Sequence, residues 1–267
     1  MEMGFLKSTL KALKNRLKPY WINFTDLLEI YRELDYPKSK ILLCNKIRIG
    51  SCSKEPGTVR WIESFQKGDT VFDIGANVGT YSLIMALYAK DVLAIEPSVT
   101  NYNLLCKNLI LNVRQETIPN VVTPLNLALS DSTGMKRFDY FRIKPGFSGH
   151  RVEGVMNGIE RSFIPQYSQQ VMCYRLDDLL KSFNIPVPNH IKIDVDGAEL
   201  EVVKGADSTL SNPQIKSLLV EISDESGLAF RKKELINFLS RKGFKMRDKF
   251  KVSTGEECYN YLFDCQS

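Results

Sequence analysis

The sequence predicts an α/β fold with a largely parallel sheet and a helical extension at its N-terminus, and three observations carry that prediction. From Thr70 onward, short apolar runs alternate with helical patterns, the order expected of βα units. The first of those runs ends in a glycine-bearing turn, Asp73-Ile74-Gly75-Ala76-Asn77-Val78-Gly79, that leads straight into an apolar helix. A chain of 267 residues, 43% hydrophobic and 25% charged, has globular composition and is long enough to bury a sizeable core.

Taken in order, residues 5–21 place Phe5, Leu6, Leu10, Leu13, Leu17 and Trp21 at helical spacing with lysines mostly between them, which reads as an amphipathic helix. It is too short and too charged to span a bilayer. Two readings stand side by side: contact with an anionic membrane surface through residues 1–24, or packing against its own domain or a partner subunit. Residues 1–54 are therefore taken as an N-terminal extension and 55–267 as the domain.

Within that domain TVFDIGA (70–76), DVLAIEP (91–97), VTPLNLAL (122–129), HIKIDV (190–195) and SLLVEIS (217–223) read as strands. Helices fall near 79–89, 98–112, 176–183, 197–205 and 231–242, the last closed by Gly243. The stretch 132–172 is polar and glycine-punctuated, with brief strand-like pieces such as FDYF. It reads as an insertion, either a lid or substrate wall at the ligand edge or a plain surface hairpin.

The formal charge is +5, but Lys7, Lys11, Lys14, Arg16 and Lys18 against Glu2 place most of the excess at the N-terminus. The domain lacks a broad basic face, which argues against nucleic acid as a partner. The six cysteines contain no Cys-x-x-Cys pair and the only histidines are His150 and His190, so a zinc cluster is not expected. No signal peptide opens the sequence, and the thiols read as reduced, in a cytoplasmic setting, with peripheral contact to the inner face of a membrane as the variant the N-terminal helix allows.

Chemistry concentrates at the ends of the expected strands. Gly75 and Gly79 let the backbone turn tightly and approach a ligand, in the strand-to-helix context of a nucleotide-type cofactor loop. A dinucleotide fingerprint would want glycine where Asn77 stands. S-adenosylmethionine carries no phosphate, and its cationic amine suits an acid such as Asp73, directly or through water. Glu96 ends the second strand 23 residues after Asp73, where a carboxylate accepts from both ribose hydroxyls. Ala128, with Leu129, is expected to flank the adenine.

The fourth strand carries Lys192-Ile193-Asp194-Val195-Asp196-Gly197-Ala198-Glu199. Lys192, Asp194 and Asp196 are expected to alternate onto one face, Glu199 falls in the first helical turn, and Glu221 ends the neighbouring strand.

VFDIGANVGTYS, AIEPS, LALSD, LDDLL, IKIDVDGAELEVVKGA and LLVEIS, in that order, resemble the FkbM-type methyltransferase family over roughly 55–265. That resemblance implies a class I methyltransferase (Rossmann-like) sheet of seven strands, S-adenosylmethionine as cofactor, and methyl transfer to a hydroxyl of a glycan, sugar or secondary metabolite. By the same resemblance Asp73, Gly75, Ala76, Asn77 and Gly79 surround the methionine part, Glu96 the ribose, and Asp194 the transferred methyl. The family more often reads Ile-Asp-Val-Glu-Gly where this chain has Asp196, a shorter acid.

An alcohol needs deprotonation to become a good nucleophile, so a base is expected among Asp194, Asp196, Glu199 and His150, with Asp194 first. A divalent cation on Asp194, Asp196 and Glu199 is compatible with their all-oxygen donors, although no dedicated metal site is read from the sequence. The rival readings are a nicotinamide-dependent oxidoreductase and a non-catalytic scaffold on the same fold.

Overall fold

The computed structural model describes residues 31–44, 48–155, 164–224, 228–252 and 257–266. The chain divides after Tyr31, and every element below belongs to the unit Arg32–Ser267. The helix expected over 5–21 lies outside the described residues.

The unit opens with β1 (Arg32–Glu33), β2 (Leu42–Leu43), α1 (Ser51–Lys54) and α2 (Pro56–Ile62). Then β3 (Thr70–Ile74), α3 (Thr80–Met85), β4 (Asp91–Ile95), α4 (Val99–Arg114) and β5 (Val122–Leu125) build one side of a sheet. Its other side comes from β10 (His190–Ile193), α6 (Glu199–Gly205), β11 (Ser217–Ser223), α7 (Ala229–Arg241), β12 (Phe244–Lys251) and β13 (Cys258–Cys265). The strand order is β5-β4-β3-β10-β11-β13-β12. All neighbours are parallel except around β13, which runs antiparallel to both β11 and β12.

The central strands are apolar because both their faces are covered. One apolar cluster joins Phe72, Ile191, Leu218, Leu176 and Leu239, and another joins Val71, Ile84, Leu105, Leu219 and Trp61. Burying each such side chain contributes about 1.5–3 kcal/mol. At the starting ends of the strands a polar staple replaces apolar packing. Trp61 Nε1 donates to Ser217 Oγ at 2.8 Å, Ser217 meets His190 Nδ1 at 2.8 Å, and His190 Nε2 meets Asp69 at 3.0 Å.

The boundary expected at residue 54 falls inside the compact unit. Leu34, Tyr36, Ile41, Leu43 and Cys52 belong to the second apolar cluster. Asn112 exchanges two hydrogen bonds with the Leu42 backbone at 2.9 and 2.8 Å, and Cys44 N donates to Asn108 at 2.8 Å. The short hydrophobic pieces of 32–54 are too brief to show a period, which is why the sequence alone does not attach them to the core.

The run 122–129 is two strands rather than one. Asn126 Nδ2 donates to the carbonyls of Glu96 and Pro97 at 2.8 and 3.1 Å, and the chain leaves the main sheet after β5. It begins a second sheet, ordered β6-β9-β7-β8, from β6 (Ala128–Leu129), β7 (Gly134–Tyr140), β8 (Arg151–Val152) and β9 (Tyr167–Tyr174). Strands β7 and β8 and most of β9 thus fall within the expected insertion, and β9 hands the chain to α5 (Leu176–Phe183). Phe138, Tyr140, Val152, Val171 and Cys173 make its apolar layer, together with Ala128 and Ala198. No helix among the described residues is long and apolar enough to cross a membrane, and none of the six cysteines, all among those residues, forms a disulfide.

Candidate active site

Strand order reverses between β3 and β10, and such a switch point leaves a crevice beyond the carboxyl ends of the strands. A cavity of about 290 Å³ opens there, lined among others by Gly75, Asn77, Glu96, Ala128 and Asp194. Its volume is at the lower end of small-molecule sites.

The glycines are explained by contacts rather than by general flexibility. Gly75 sits at φ 83°, and a Cβ there would lie 1.7 Å from the Asp194 carbonyl oxygen. The loop and the end of β10 therefore touch backbone to backbone. Gly75 N and Ala76 N both donate to Ile95 O, at 2.9 and 3.0 Å, which ties the loop to β4 as well. Gly79, at φ 85°, starts α3 and packs on Leu105 rather than lining the cavity.

Glu96 is buried. Its Oε2 accepts from Asn77 N at 2.8 Å and its Oε1 from Ser98 N at 2.9 Å and Asn101 Nδ2 at 3.5 Å. Burial outweighs these bonds and raises the carboxyl to about 7. Asn77 holds a left-handed φ of 51°, and its Oδ1, like Thr80 Oγ1, is a buried acceptor left without a partner. Ala128 is 2% exposed and lies on the cavity wall.

Asp73 does not line the cavity; it sits behind the loop. Its Oδ2 accepts from Ser82 Oγ at 2.5 Å, and Oδ1, 3.8 Å from Lys192 Nζ, has no hydrogen bond. Burial raises its pKa in spite of Lys192. Lys192, itself 2% exposed, donates to Asp194 Oδ2 at 2.8 Å and lies 5.3 Å from the Tyr81 ring centre. Burial alone would lower the ammonium, but Asp194, Asp73 and Glu55 outweigh it and hold it above its usual range. Glu221, also on the cavity wall, is pushed well above the usual carboxylate range by burial and by Asp194 and Glu55.

The expected alternation of Lys192, Asp194 and Asp196 fails after Asp194, because β10 ends at Ile193 and Asp196 turns at φ 56°. Asp196 lines the cavity; burial and Asp194 raise it to about 6, against the main-chain N–H groups of Gly149 and His150, which lower it. Glu199 does not reach the cavity. Its Oε1 accepts from Val195 N and Gly197 N at 3.1 and 3.0 Å, which fixes the turn, and burial raises it to about 7. Asp194, Asp196 and Glu199 are thus dispersed rather than gathered as a cation cage, and no group of three or more His, Cys, Asp or Glu side chains among the described residues is placed to hold a metal ion.

His150 is not a solvated loop residue. It is 6% exposed, stacked obliquely 5.1 Å from Tyr140 and 5.5 Å from Phe138, and burial lowers it to about 4. Phe141 N donates to its Nδ1 at 3.3 Å. The neutral ring then carries its proton on Nε2, so His150 is a donor rather than a base at neutral pH.

The sequence reading missed Arg48, Glu55, Tyr81, Asn101 and Phe147, all of which line the cavity. Tyr81 and Asn101 lie in helices the sequence does show, but nothing in their spacing marks them as site residues; Arg48, Glu55 and Phe147 come from segments with no pattern of their own.

A seven-stranded sheet with an antiparallel β13, opening at its switch point into a loop, an acid and a charged pair, defines a class I methyltransferase. The Methyltransferase FkbM domain matches residues 73–246, and the chain belongs to that family, with S-adenosylmethionine as its cofactor. It is 30% identical to the hexuronic acid methyltransferase AglP of Haloferax volcanii over 176 residues, 66% of this chain and 65% of that protein. It is 25% identical to the 31-O-demethyl-FK506 methyltransferase FkbM of Streptomyces tacrolimicus, over 60% of this chain and 67% of the relative. The chain thus matches about two thirds of the length of these relatives. The FkbM methyltransferase structure from Methylobacillus flagellatus shares the fold with a TM-score of 0.51 and 15% identity, over 74% of this chain and 44% of that one.

Proposed function

We propose that the protein transfers the methyl group of S-adenosylmethionine to a hydroxyl oxygen of a sugar, glycan or secondary metabolite. The observation that carries this reading is Asp194 at the cavity wall, its carboxylate held at 2.8 Å by Lys192 and its main-chain carbonyl set directly against the Gly75 turn. The relatives' names, a hexuronic acid methyltransferase and a 31-O-demethyl-FK506 methyltransferase, support acceptors of this class. The nicotinamide reading finds no support in the family, and the position that would need glycine is Asn77.

The residues present fit the cofactor. Asn77 Oδ1 and Thr80 Oγ1 are buried acceptors without protein partners, suited to the amino-acid end. Glu96 has lone pairs beyond those used by the backbone, suited to the ribose diol. Leu127, Ala128 and Phe138 offer an apolar wall to a flat base.

When bound, S-adenosylmethionine would supply an electrophilic methyl to the acceptor oxygen, with S-adenosylhomocysteine as the leaving group. Asp194 takes the proton leaving that oxygen. Lys192 fixes the orientation of the carboxylate and compensates its charge in a site where water is sparse. Glu199 accepts from two main-chain N–H groups and Asp196 faces those of Gly149 and His150, and we assign neither a proton transfer.

The test is transfer of labelled methyl from S-adenosylmethionine to a panel of uronic acids, neutral sugars and polyols, with Asp194→Asn in parallel. The variant should lose turnover by about two orders of magnitude or more while binding S-adenosylhomocysteine within a fewfold of wild type. Unchanged turnover would remove Asp194 as the base.

A further inference from the structure

Residues 146–150, between β7 and β8, are bound to the cofactor end of the cavity at every step. Gly146 N donates to Asn101 Oδ1 at 2.8 Å, and Arg48 Nε donates to Gly146 O at 3.1 Å. Phe147 O accepts from both Asn101 Nδ2 and Asn77 Nδ2, at 3.1 and 3.3 Å. The main-chain N–H groups of Gly149 and His150 face Asp196 and favour its charged form. Gly146 and Gly149 both take φ near 81°, a left-handed bend favoured by glycine.

The two asparagines that hold Phe147 are the same residues that donate to Glu96, Asn77 through its backbone N–H and Asn101 through its side chain. The segment is thereby wired to the acid suited to the ribose. It also delivers His150, whose Nε2 is buried on the cavity wall with no protein partner. A buried N–H left unpaired is unfavourable, and a ligand acceptor atom would remove that cost.

Resting on the S-adenosylmethionine reading, we propose that residues 146–150 form a strap closing the adenosine end of the cofactor cavity, with Asp196 as its latch and His150 Nε2–H as a hydrogen-bond donor to the bound adenosine. Asp196 is then a positioning residue, which accounts for an acid at this place whose oxygens face the strap. Asn77 and Asn101 couple occupancy of the ribose site to closure of the strap.

The experiment titrates the full chain, wild type, His150→Phe and Asp196→Asn, with S-adenosylhomocysteine and with 5′-methylthioadenosine, which lacks the amino-acid end. His150→Phe keeps an aromatic ring against Phe138 and Tyr140, and Asp196→Asn keeps the size of the latch while exchanging one acceptor oxygen for a donor. Both variants should weaken both ligands by the same factor, about 3–10-fold for His150→Phe and about tenfold or more for Asp196→Asn. Amide hydrogen exchange at 146–150 should slow on ligand addition in wild type and much less in Asp196→Asn.

Wild-type affinity of both variants for both ligands would overturn the proposal, as would weakening confined to S-adenosylhomocysteine. Failure of the wild type to bind either ligand would instead overturn the cofactor reading on which it rests.

Discussion

Raising the pH from 6 to 8 should tighten S-adenosylhomocysteine binding about tenfold through Glu96. In the unliganded protein this buried carboxyl titrates at about 7, so about a tenth of it is ionised at pH 6 and about nine tenths at pH 8. Two ribose hydroxyls donate only to the ionised form with full effect, so binding at pH 7 should release about half a proton. The same shift has a stability consequence of definite sign. An unfolded glutamate titrates near 4.5, and a raised folded value stabilises the unliganded protein below that pH and loses its contribution as pH rises through about 7. Calorimetric titration in two buffers of different ionisation enthalpy measures the proton directly. Glu96→Gln should remove the release and most of the pH slope and weaken binding about tenfold. Proton uptake, or an affinity flat between pH 6 and 8 in the wild type, would refute the reasoning.

Gly75→Ala forces a Cβ to 1.7 Å from the Asp194 carbonyl oxygen at a φ of 83°. The left-handed conformation alone costs about 1–2 kcal/mol, and the loop must also part from β10; cofactor affinity should fall at least tenfold by calorimetry, and wild-type affinity would mean the close approach is dispensable. Lys192→Met removes the only cation among the described residues paired with both Asp73 and Asp194 and leaves two uncompensated carboxylates. Urea denaturation should show a loss of about 3–5 kcal/mol at pH 8, smaller at pH 5, where protonation of Asp73 relieves part of the cost; equal stability at both pH values would contradict the pairing.

The parts of the fold that could be read from the sequence are those whose pattern is local. TVFDI and DVLAI are bounded apolar runs, and the turn between Ile74 and Thr80 announces itself through two glycines that the structure finds in left-handed backbone. The two C-terminal strands escape such reading for opposite reasons. FKMRDKFK is an exposed edge strand whose charges discourage further pairing, and CYNYLFDC is buried too continuously to alternate. At the site, residue identity exposed the acids but not their partners. Asp194 and Asp196 are two residues apart in sequence, yet one meets the ammonium of Lys192 and the other the backbone of a loop 46 residues earlier. Which oxygen meets which donor is a matter of tertiary approach, and spacing does not encode it.

The pairing of β6 with β9 matters beyond its two rungs, Ala128 with Cys173 and Leu129 with Tyr174. Because the chain departs from and returns to neighbouring points, everything between is an excursion closed by one parallel ladder within the second sheet and tied between β7 and β8 to Arg48, Asn77 and Asn101. Away from those ties its length can change at a closure cost that grows only slowly, about 0.6 kcal/mol per doubling. A chimaera joined at Leu129 and Cys173 would therefore carry Phe138, Phe147 and His150 of the cavity wall with it, and keeps the cofactor site only if those residues travel unchanged.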